Sequence, residues 1–389
     1  MAVENWVARD VADLTEFRRD LHRNPELLYD VVRTAANVAE ALRRAGVDEV
    51  HEGIGRTGVV GVIRGQSNAS GRTIGLRSDM DALPIHEETG KPWASTVDGK
   101  MHACGHDGHT TMLLGAARHL AESRAFDGTV IVIFQPAEEG GAGARAMIED
   151  GLFAKWPCDE VYGMHNRPNL PVGQFTINSG PIMGSVDEVK ITITGRGGHA
   201  ARPDQTIDPL PVAGALLQGV QTLTSRNLDP IDSAVVSLCT IHAGNAFNVI
   251  PQAVEMTGTV RTLREEVRDM IEQRLGAMVE NIAAAFGGVG TLDYTRHYPV
   301  TVNHERETGL AARAAQEVAG MENVFLDMPQ TLGGEDFSFM LNEVPGAMIN
   351  VGNGPSAGLH HPLYDFNDDV IAWGCSYWTT LVRQRLPLG

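Results

Sequence analysis

The segment GTVIVIFQPAEEGG, residues 128–141, sets two adjacent carboxylates, Glu138 and Glu139, just after a run of β-branched and aromatic residues. Such a run reads as a buried strand, stopped here by Pro136. Like charges repel, so a neighbouring pair at a strand end implies a use for both. Other runs end in the same kind of residue. Asp79 and Asp81 follow TIGL, His165 follows VYGM, and AMINVG leads through a glycine-rich loop to His360 and His361. MHACGHDGH places Cys104 and His106 two residues apart in a polar loop ahead of a helix. In open α/β sheets, ligands bind outside the carboxyl ends of the strands. Thiol, imidazole and carboxylate gathered on one such edge suit zinc or a related first-row metal, and are too soft a set for calcium or magnesium.

These residues need a sheet to bring them together. LTEFRRDLHRNPE spaces Leu14, Phe17 and Leu21 along one helical face, and RTAANVAEALRRAG closes a second helix on Gly46. Strands follow in GVVGVI and RTIGLRSD, a helix in HTTMLLGAARHLAES, the strand GTVIVIF, a helix near GARAMIEDGLF and a strand in DEVYGMH. Strands alternating with helices predict a mostly parallel sheet. From about residue 182 the pattern changes. SVDEVKITITG alternates as a strand and PLPVAGALLQGVQTL reads as a helix; AVVSLCTIHAG and AVEMTGTVRTL are strands, then come a long amphipathic helix and the strand TLDYTRHYPV. That β-α-β-β-α-β order is the ferredoxin-like plan. Afterwards GLAARAAQEVAG, GAMINVG and DDVIAWGCSYWTTLV return to helix and parallel-strand character. The expected fold class is α/β: a mostly parallel-sheet domain over residues 1–181 and 299–389, with a ferredoxin-like α+β domain inserted over 182–298.

Composition narrows the partners. The chain has 389 residues, enough for two cores, and its 43% hydrophobic and 21% charged residues are those of a folded globular protein. Forty-nine acidic against 31 basic residues leave a net charge of −18, which disfavours nucleic acid or an anionic membrane as partner. The opening residues MAVENWVARDVADLTEF lack the apolar run of a signal peptide, and no stretch reaches the length of a membrane span, so a cytoplasmic location is expected. Cys104, Cys158, Cys239 and Cys375 form no C-x-x-C pair, so no disulfide framework is expected. The last three read as small buried apolar residues, whereas Cys104 stands apart beside His106. His102 and His109 read as packing or capping residues.

DMDALP, MHACGHDGHTTMLLGAA, QPAEEG, GMHN, GRGGHAARP, NVIP, GGEDFSFML and GLHHPLYDFND occur in this order along the chain. Together they resemble the hippurate hydrolase and indole-acetyl-amino-acid hydrolase branch of the metal-dependent aminoacylase and carboxypeptidase family. The resemblance implies a di-metal catalytic domain and an inserted dimerisation or lid domain. It implies two divalent ions per subunit (zinc, manganese, nickel or cobalt) held by Cys104, His106, Glu139, His165 and His360. His360 is chosen over His361 because the family motif uses the first histidine of that pair. Asp81 then orients a ligand from behind. LYDVVRT stands where relatives often carry GFEE, a departure near the entrance that bears on substrate preference.

The adjacent glutamates then divide their work. Glu139 supplies a ligand oxygen, while Glu138 takes a proton from the attacking water, which the metal acidifies, and returns it to the leaving amine. The resemblance also brings His199 to the tetrahedral oxyanion and Asn248 to the substrate's carboxylate side. Arg261 and Arg296 are candidate carboxylate clamps, since a guanidinium grips a carboxylate with two hydrogen bonds. The expected reaction is hydrolysis of an N-acyl amino acid, hippurate-like or otherwise, to a carboxylic acid and a free amino acid. N-acetyl-diaminopimelate deacetylase, dipeptidase or carboxypeptidase activity is the alternative within the same chemistry. A metal-binding protein without catalysis is the alternative outside it, and an unligated Glu138 argues against that. Exposed edges of the inserted sheet, and the habit of relatives, predict a homodimer or homotetramer in which His199 serves the neighbouring subunit's site.

Overall fold

The computed structural model describes residues 5–389; the first four residues of the opening segment considered above lie outside that range. The described residues divide into two compact units, residues 5–180, 302–329 and 339–389 in the first, residues 181–301 and 330–338 in the second.

The first unit is built from helices α1 (Asn5–Arg23) and α2 (Val32–Arg44), strands β1 (Glu49–Ile54), β2 (Gly58–Arg64) and β3 (Thr73–Asp79), and helix α3 (His106–Ser123). Strand β4 (Thr129–Gln135), helices α4 (Gly143–Glu149) and α5 (Leu152–Lys155), and strands β5 (Glu160–Pro168) and β6 (Phe175–Thr176) follow. The strands form an eight-stranded sheet with strands that arrive later in the chain, β15 (Val324–Phe325) and β16 (Gly346–Gly354), in the order β1-β2-β4-β3-β5-β16-β6-β15. The alternation of strands and helices predicts parallel pairing. That holds for the four central strands, whereas β1, β2 and β6 run antiparallel to their inner neighbours. A short turn joins β1 to β2, too short for a parallel crossover. The single helix expected in GARAMIEDGLF is two, because Gly151 between them adopts a left-handed φ of 92°. Helix α3 is buried along most of its length and is packed by α1 and by α10 (Val370–Arg385). Its sequence is accordingly apolar and small-residue-rich rather than amphipathic.

The second unit contains β7 (Gly180–Met183), β8 (Val186–Thr194), β9 (Gly198–His199), α6 (Pro209–Arg226), β10 (Ala234–Ala243), β11 (Val249–Ile250), β12 (Ala253–Thr262), α7 (Glu265–Ala285) and β13 (Val289–Tyr298). Its sheet is antiparallel in the order β10-β12-β8-β13, the order of a ferredoxin-like unit. Val189, Ile191 and Ile193 alternate inward along β8 and meet Leu216 and Val220 of α6 and Ile271 and Leu275 of α7 in a separate apolar core. Residues 330–338, expected with the C-terminal segment, group with this unit. The reason is backbone pairing: Thr331 N–H donates to Ile182 O at 3.1 Å and Gly184 N–H to Gly333 O at 2.9 Å. The chain ends with β14 (Thr301–Asn303), α8 (Glu305–Ala319), α9 (Phe337–Glu343) and the strands and helix already named. No described helix is long and apolar enough to cross a membrane.

A buried ion pair anchors the inserted sheet to its long helix. Asp187 of β8 accepts from Arg268 of α7 at 2.5 Å and from the Tyr294 hydroxyl of β13 at 2.7 Å. Replacing Asp187 leaves the buried Arg268 guanidinium with only the half-exposed Glu265 at 3.1 Å, and removing one partner of a buried pair costs about 3–5 kcal/mol. Asp187→Ala is therefore expected to destabilise the protein by about 3 kcal/mol in chemical denaturation, and the double variant Asp187→Ala, Arg268→Met by clearly less.

Candidate metal centre

Three of the parallel strands end at one place. Asp79 closes β3, the Glu138–Glu139 pair follows β4 after one turn, and His165 lies near the end of β5. Cys104 and His106 arrive at the first turn of α3, and His360 comes from the loop beyond β16. Their ligand atoms converge in two groups, each with all atoms within 4.8 Å of one another: Cys104, His106 and His165, and Cys104, Glu139 and His360. A third such group joins His106 to Glu138 and Glu139. The five residues expected as ligands are thus brought together with Glu138 beside them.

Each group is held from behind. The His165 Nδ1–H donates to Asn166 O at 2.7 Å, which leaves Nε2 facing the Cys104 sulfur at 3.4 Å. Both His106 ring nitrogens are buried without a hydrogen-bond partner among the described residues; Nδ1 lies 3.5 Å from Asp81 and Nε2 3.9 Å from Glu139. His360, half-exposed, sets Nε2 3.2 Å from Glu139 Oε1. Asp81 accepts the backbone N–H of Glu138 at 2.9 Å and of Glu139 at 3.2 Å. It therefore fixes the turn that carries both glutamates, as well as facing His106. Buried sulfur, imidazole nitrogen and carboxylate oxygen, with orphaned nitrogens at their centre, fit a divalent transition metal.

The charges point the same way. Burial opposes a charge on His106, yet the nearby Asp79, Asp81 and Glu139 carboxylates push it up to about 10. Burial, together with Glu139, Glu138 and Asp79, holds Cys104 as a thiol far above the usual range. Burial also opposes the charge of Asp79, but His106, His109 and Arg77 hold it well below the usual carboxyl range, whereas burial pushes Asp81 up. The edge is rich in negative charge, an environment that favours a bound cation.

Asp79, His106 and His109 form a further close group, but His109 has no nitrogen to spare. Its Nδ1–H donates to Asp79 at 2.7 Å, and its Nε2 accepts the Asn166 N–H at 2.9 Å. His109 is a packing residue, as expected. His102 is buried against His22 and belongs to no ligand group. Cys375 is buried and Cys158 half-buried, but Cys239, expected inside, is exposed on the edge strand β10.

In the second unit, β9 pairs with β11, setting His199 opposite Val249, and Ala200 N–H donates to Asn248 O at 3.1 Å. His199 and Asn248, 49 positions apart, are neighbours. Ala201 N–H donates to His199 Nδ1 at 3.0 Å, so the neutral ring carries its proton on Nε2 as an exposed donor. Arg296 is engaged by Asp269 and Glu272 and has no fork left for a substrate carboxylate. Arg261 keeps a buried Nη1 without a hydrogen-bond partner.

Sequence reading missed the residues that lock the ligand segments together. Asn166 donates to Cys104 O at 2.6 Å and accepts from the Tyr364 hydroxyl at 2.8 Å, tying β5, the Cys104 loop and the His360 loop. Beneath α3, Asp107 accepts from His22 at 2.8 Å and from Arg18 at 3.4 Å, all three buried. The only signal was adjacency to a ligand: Asn166 follows His165, Asp107 follows His106, and Tyr364 lies four residues past His360.

A model of peptidase family M20/M25/M40 matches residues 75–384. Hippurate hydrolase of Campylobacter jejuni is 41% identical over 374 residues, 96% of this chain and 97% of its own. N-acetylcysteine deacetylase of Bacillus subtilis is 38% identical over 369 residues, 95% of each chain. Among solved structures, the Bacillus subtilis YXEP protein, described as a dinuclear metal binding peptidase, superposes with a TM-score of 0.86 at 35% identity, covering 97% of this chain and 99% of that one. The chain belongs to peptidase family M20/M25/M40. It is a metal-dependent amidohydrolase.

Gly105 shows how tightly the ligand loop is built. It has a φ of 92°, and a Cβ there would stand 2.3 Å from Asn166 Nδ2 and 2.5 Å from the Tyr364 hydroxyl. Gly105→Ala must therefore shift either the Cys104–His106 loop or the Asn166 and Tyr364 side chains that brace it. Metal titration of the purified variant is expected to show binding weakened by about 10- to 100-fold, with the far-ultraviolet spectrum unchanged.

Proposed function

We propose that the chain cleaves the amide bond of N-acyl amino acids, releasing a carboxylic acid and a free amino acid, with Glu138 as proton carrier. The observation that supports this best is the pair of candidate ligand groups meeting at Cys104, with a Glu138 oxygen within 4.8 Å of ligand atoms of His106 and Glu139. Two divalent transition-metal ions (zinc, manganese, nickel or cobalt) would be held by Cys104, His106, Glu139, His165 and His360, and such ions acidify water and polarise a carbonyl.

The chain's own residues do the rest. Glu138, nine-tenths buried on a turn pinned by Asp81, takes the proton of the attacking water and delivers it to the leaving nitrogen. His199 presents its Nε2–H to the carbonyl oxygen as negative charge develops there. Asn248 approaches the substrate's carboxylate side, and of the two arginines Arg261 is the one without an acidic ion-pair partner. The substrate is a small molecule, hippurate-like in the simplest case. Identity of 37% over 366 residues to N-acetyldiaminopimelate deacetylase of Streptococcus thermophilus supports an N-acetyl diamino acid as the alternative, ahead of a dipeptide.

The assembly is read as at least a dimer, with His199 acting in the neighbouring subunit's site. Strands β10 and β13 are open edges of the inserted sheet, and Phe247, beside Asn248, is fully exposed. The four free cysteines suit a reducing, cytoplasmic setting.

Glu138→Gln keeps the shape and removes the base. It is expected to lower kcat by about 100- to 10,000-fold on hippurate or N-acetyl amino acids while metal content stays at the wild-type value; a variant with more than about a tenth of the activity removes Glu138 from the role. Mixing inactive Glu138→Gln and His199→Ala subunits is expected to restore about a quarter of wild-type activity at equal ratio, because half the dimers are mixed and each contains one complete site. No recovery, with exchange verified by a tag, places His199 in its own subunit's site.

A further inference from the structure

Register across the first unit's sheet aligns one row of residues. His165 of β5 pairs with Asn350 of β16, Asn350 with Thr176 of β6, and Thr176 with Phe325 of β15. Paired residues in a sheet share a face, so the row leads away from His165 on the face that carries the metal ligands. Thr176 stands two strands from His165, about 10 Å away at the usual strand spacing. There a cavity of about 440 Å³ opens, lined by Arg167, Leu170, Thr176, Phe325 and Met328 among others. Arg167 is two residues past His165 on the same strand, and side chains at that spacing share a face.

Two groups in this cavity lack partners within the protein. The Thr176 hydroxyl is buried, in a residue only 7% exposed, with no hydrogen-bond partner. Among the described residues no carboxylate pairs with Arg167, in a protein where most arginines are paired. A third polar group is weakly used: the Asn350 amide donates to the Met328 thioether at 3.1 Å, a poor acceptor. A guanidinium and a hydroxyl directed at an apolar-walled space are what a carboxylate on an apolar stem needs. Asp327, at the exposed rim, adds a negative charge that opposes a second anionic group.

We propose that this cavity is the subsite for the amino-acid half of the substrate: Arg167 and Thr176, in place of Arg261, bind its carboxylate, and Leu170, Phe325 and Met328 pack its side chain. The favoured substrates are then N-acyl derivatives of apolar, monocarboxylic amino acids. The assignment rests on the amidohydrolase reading above and adds the residue that selects the acid.

The test compares N-acetyl-methionine with its carboxamide, in which the anion is absent. In the metal-loaded wild type the acid is expected to show a KM at least about tenfold lower than the amide. Arg167→Ala should raise the KM for the acid by about 10- to 100-fold with kcat within about threefold, leave the amide unchanged and so erase the preference, while Arg167→Lys recovers part of it. Thr176→Val, close in shape, should weaken binding of the acid several-fold without lowering thermal stability. Calorimetric titration of both compounds into metal-loaded Glu138→Gln protein, with and without Arg167→Ala, reads the same difference without turnover. If the wild type hydrolyses neither compound but Arg167→Ala still abolishes tighter binding of the acid, the reaction is wrong and the subsite stands. An acid–amide difference that survives Arg167→Ala, or no difference in wild type, overturns the subsite.

Discussion

Four carboxylates, Asp79, Asp81, Glu138 and Glu139, meet at one sheet edge, three of them buried, and their repulsion is the constraint around which the first unit is organised. A buried carboxylate persists only where donors or cations answer it. Asp79 is answered by Arg77 at 2.9 Å and by His109, Asp81 by two backbone amides, and Glu139 by His360. Each answer also has a structural effect. The bond from His109 continues through Asn166 to Cys104 and Tyr364, so neutralising one aspartate aligns three segments that bear candidate ligands. His106 lies among Asp79, Asp81 and Glu139, whose negative charge raises its affinity for a proton and equally favours a cation at its nitrogens.

The backbone carries a matching strain. Ala137, just before Glu138, has a φ of 54°, Ala142 one of 56° and His360 one of 62°, conformations that side chains adopt at a cost of about 1–3 kcal/mol each. Ala137 and Ala142 flank the glutamate pair, and His360 is itself one of the residues gathered there. The turn after β4 holds both neighbouring glutamates at the sheet edge, with their backbone amides on Asp81. Rigid strands below and strained turns above divide the labour between stability and chemistry.

How far the sequence could be read followed the kind of signal available. Period-two runs such as VKITI and apolar runs such as TVIVIF declare strands, and a chemically rare combination such as Cys-x-His in a polar loop ahead of a helix marks a candidate ligand loop. The ferredoxin-like order was legible because its elements are long. Strand β1, EVHEGI, was not, being half polar and held by pairing with β2 rather than by its own pattern. Asn166 and Tyr364 were invisible for a different reason: an asparagine or tyrosine becomes a lock only through partners 62 and 198 positions away. Arg296 erred the other way, since no local pattern tells a free guanidinium from one held by Asp269 and Glu272.

The grouping of residues 330–338 with the inserted unit has a consequence for how such a protein can be rebuilt. A module that occupies one stretch of chain can be lifted from one gene and set into another by a single pair of junctions. Here a cut at 181 and 301 would strand a nine-residue piece whose backbone amides and carbonyls are matched to strand ends that have left with the cassette. Chimaeras between relatives, whether made in the laboratory or by recombination, must exchange both stretches together, so the two travel as one heritable block although 28 residues of the other unit lie between them.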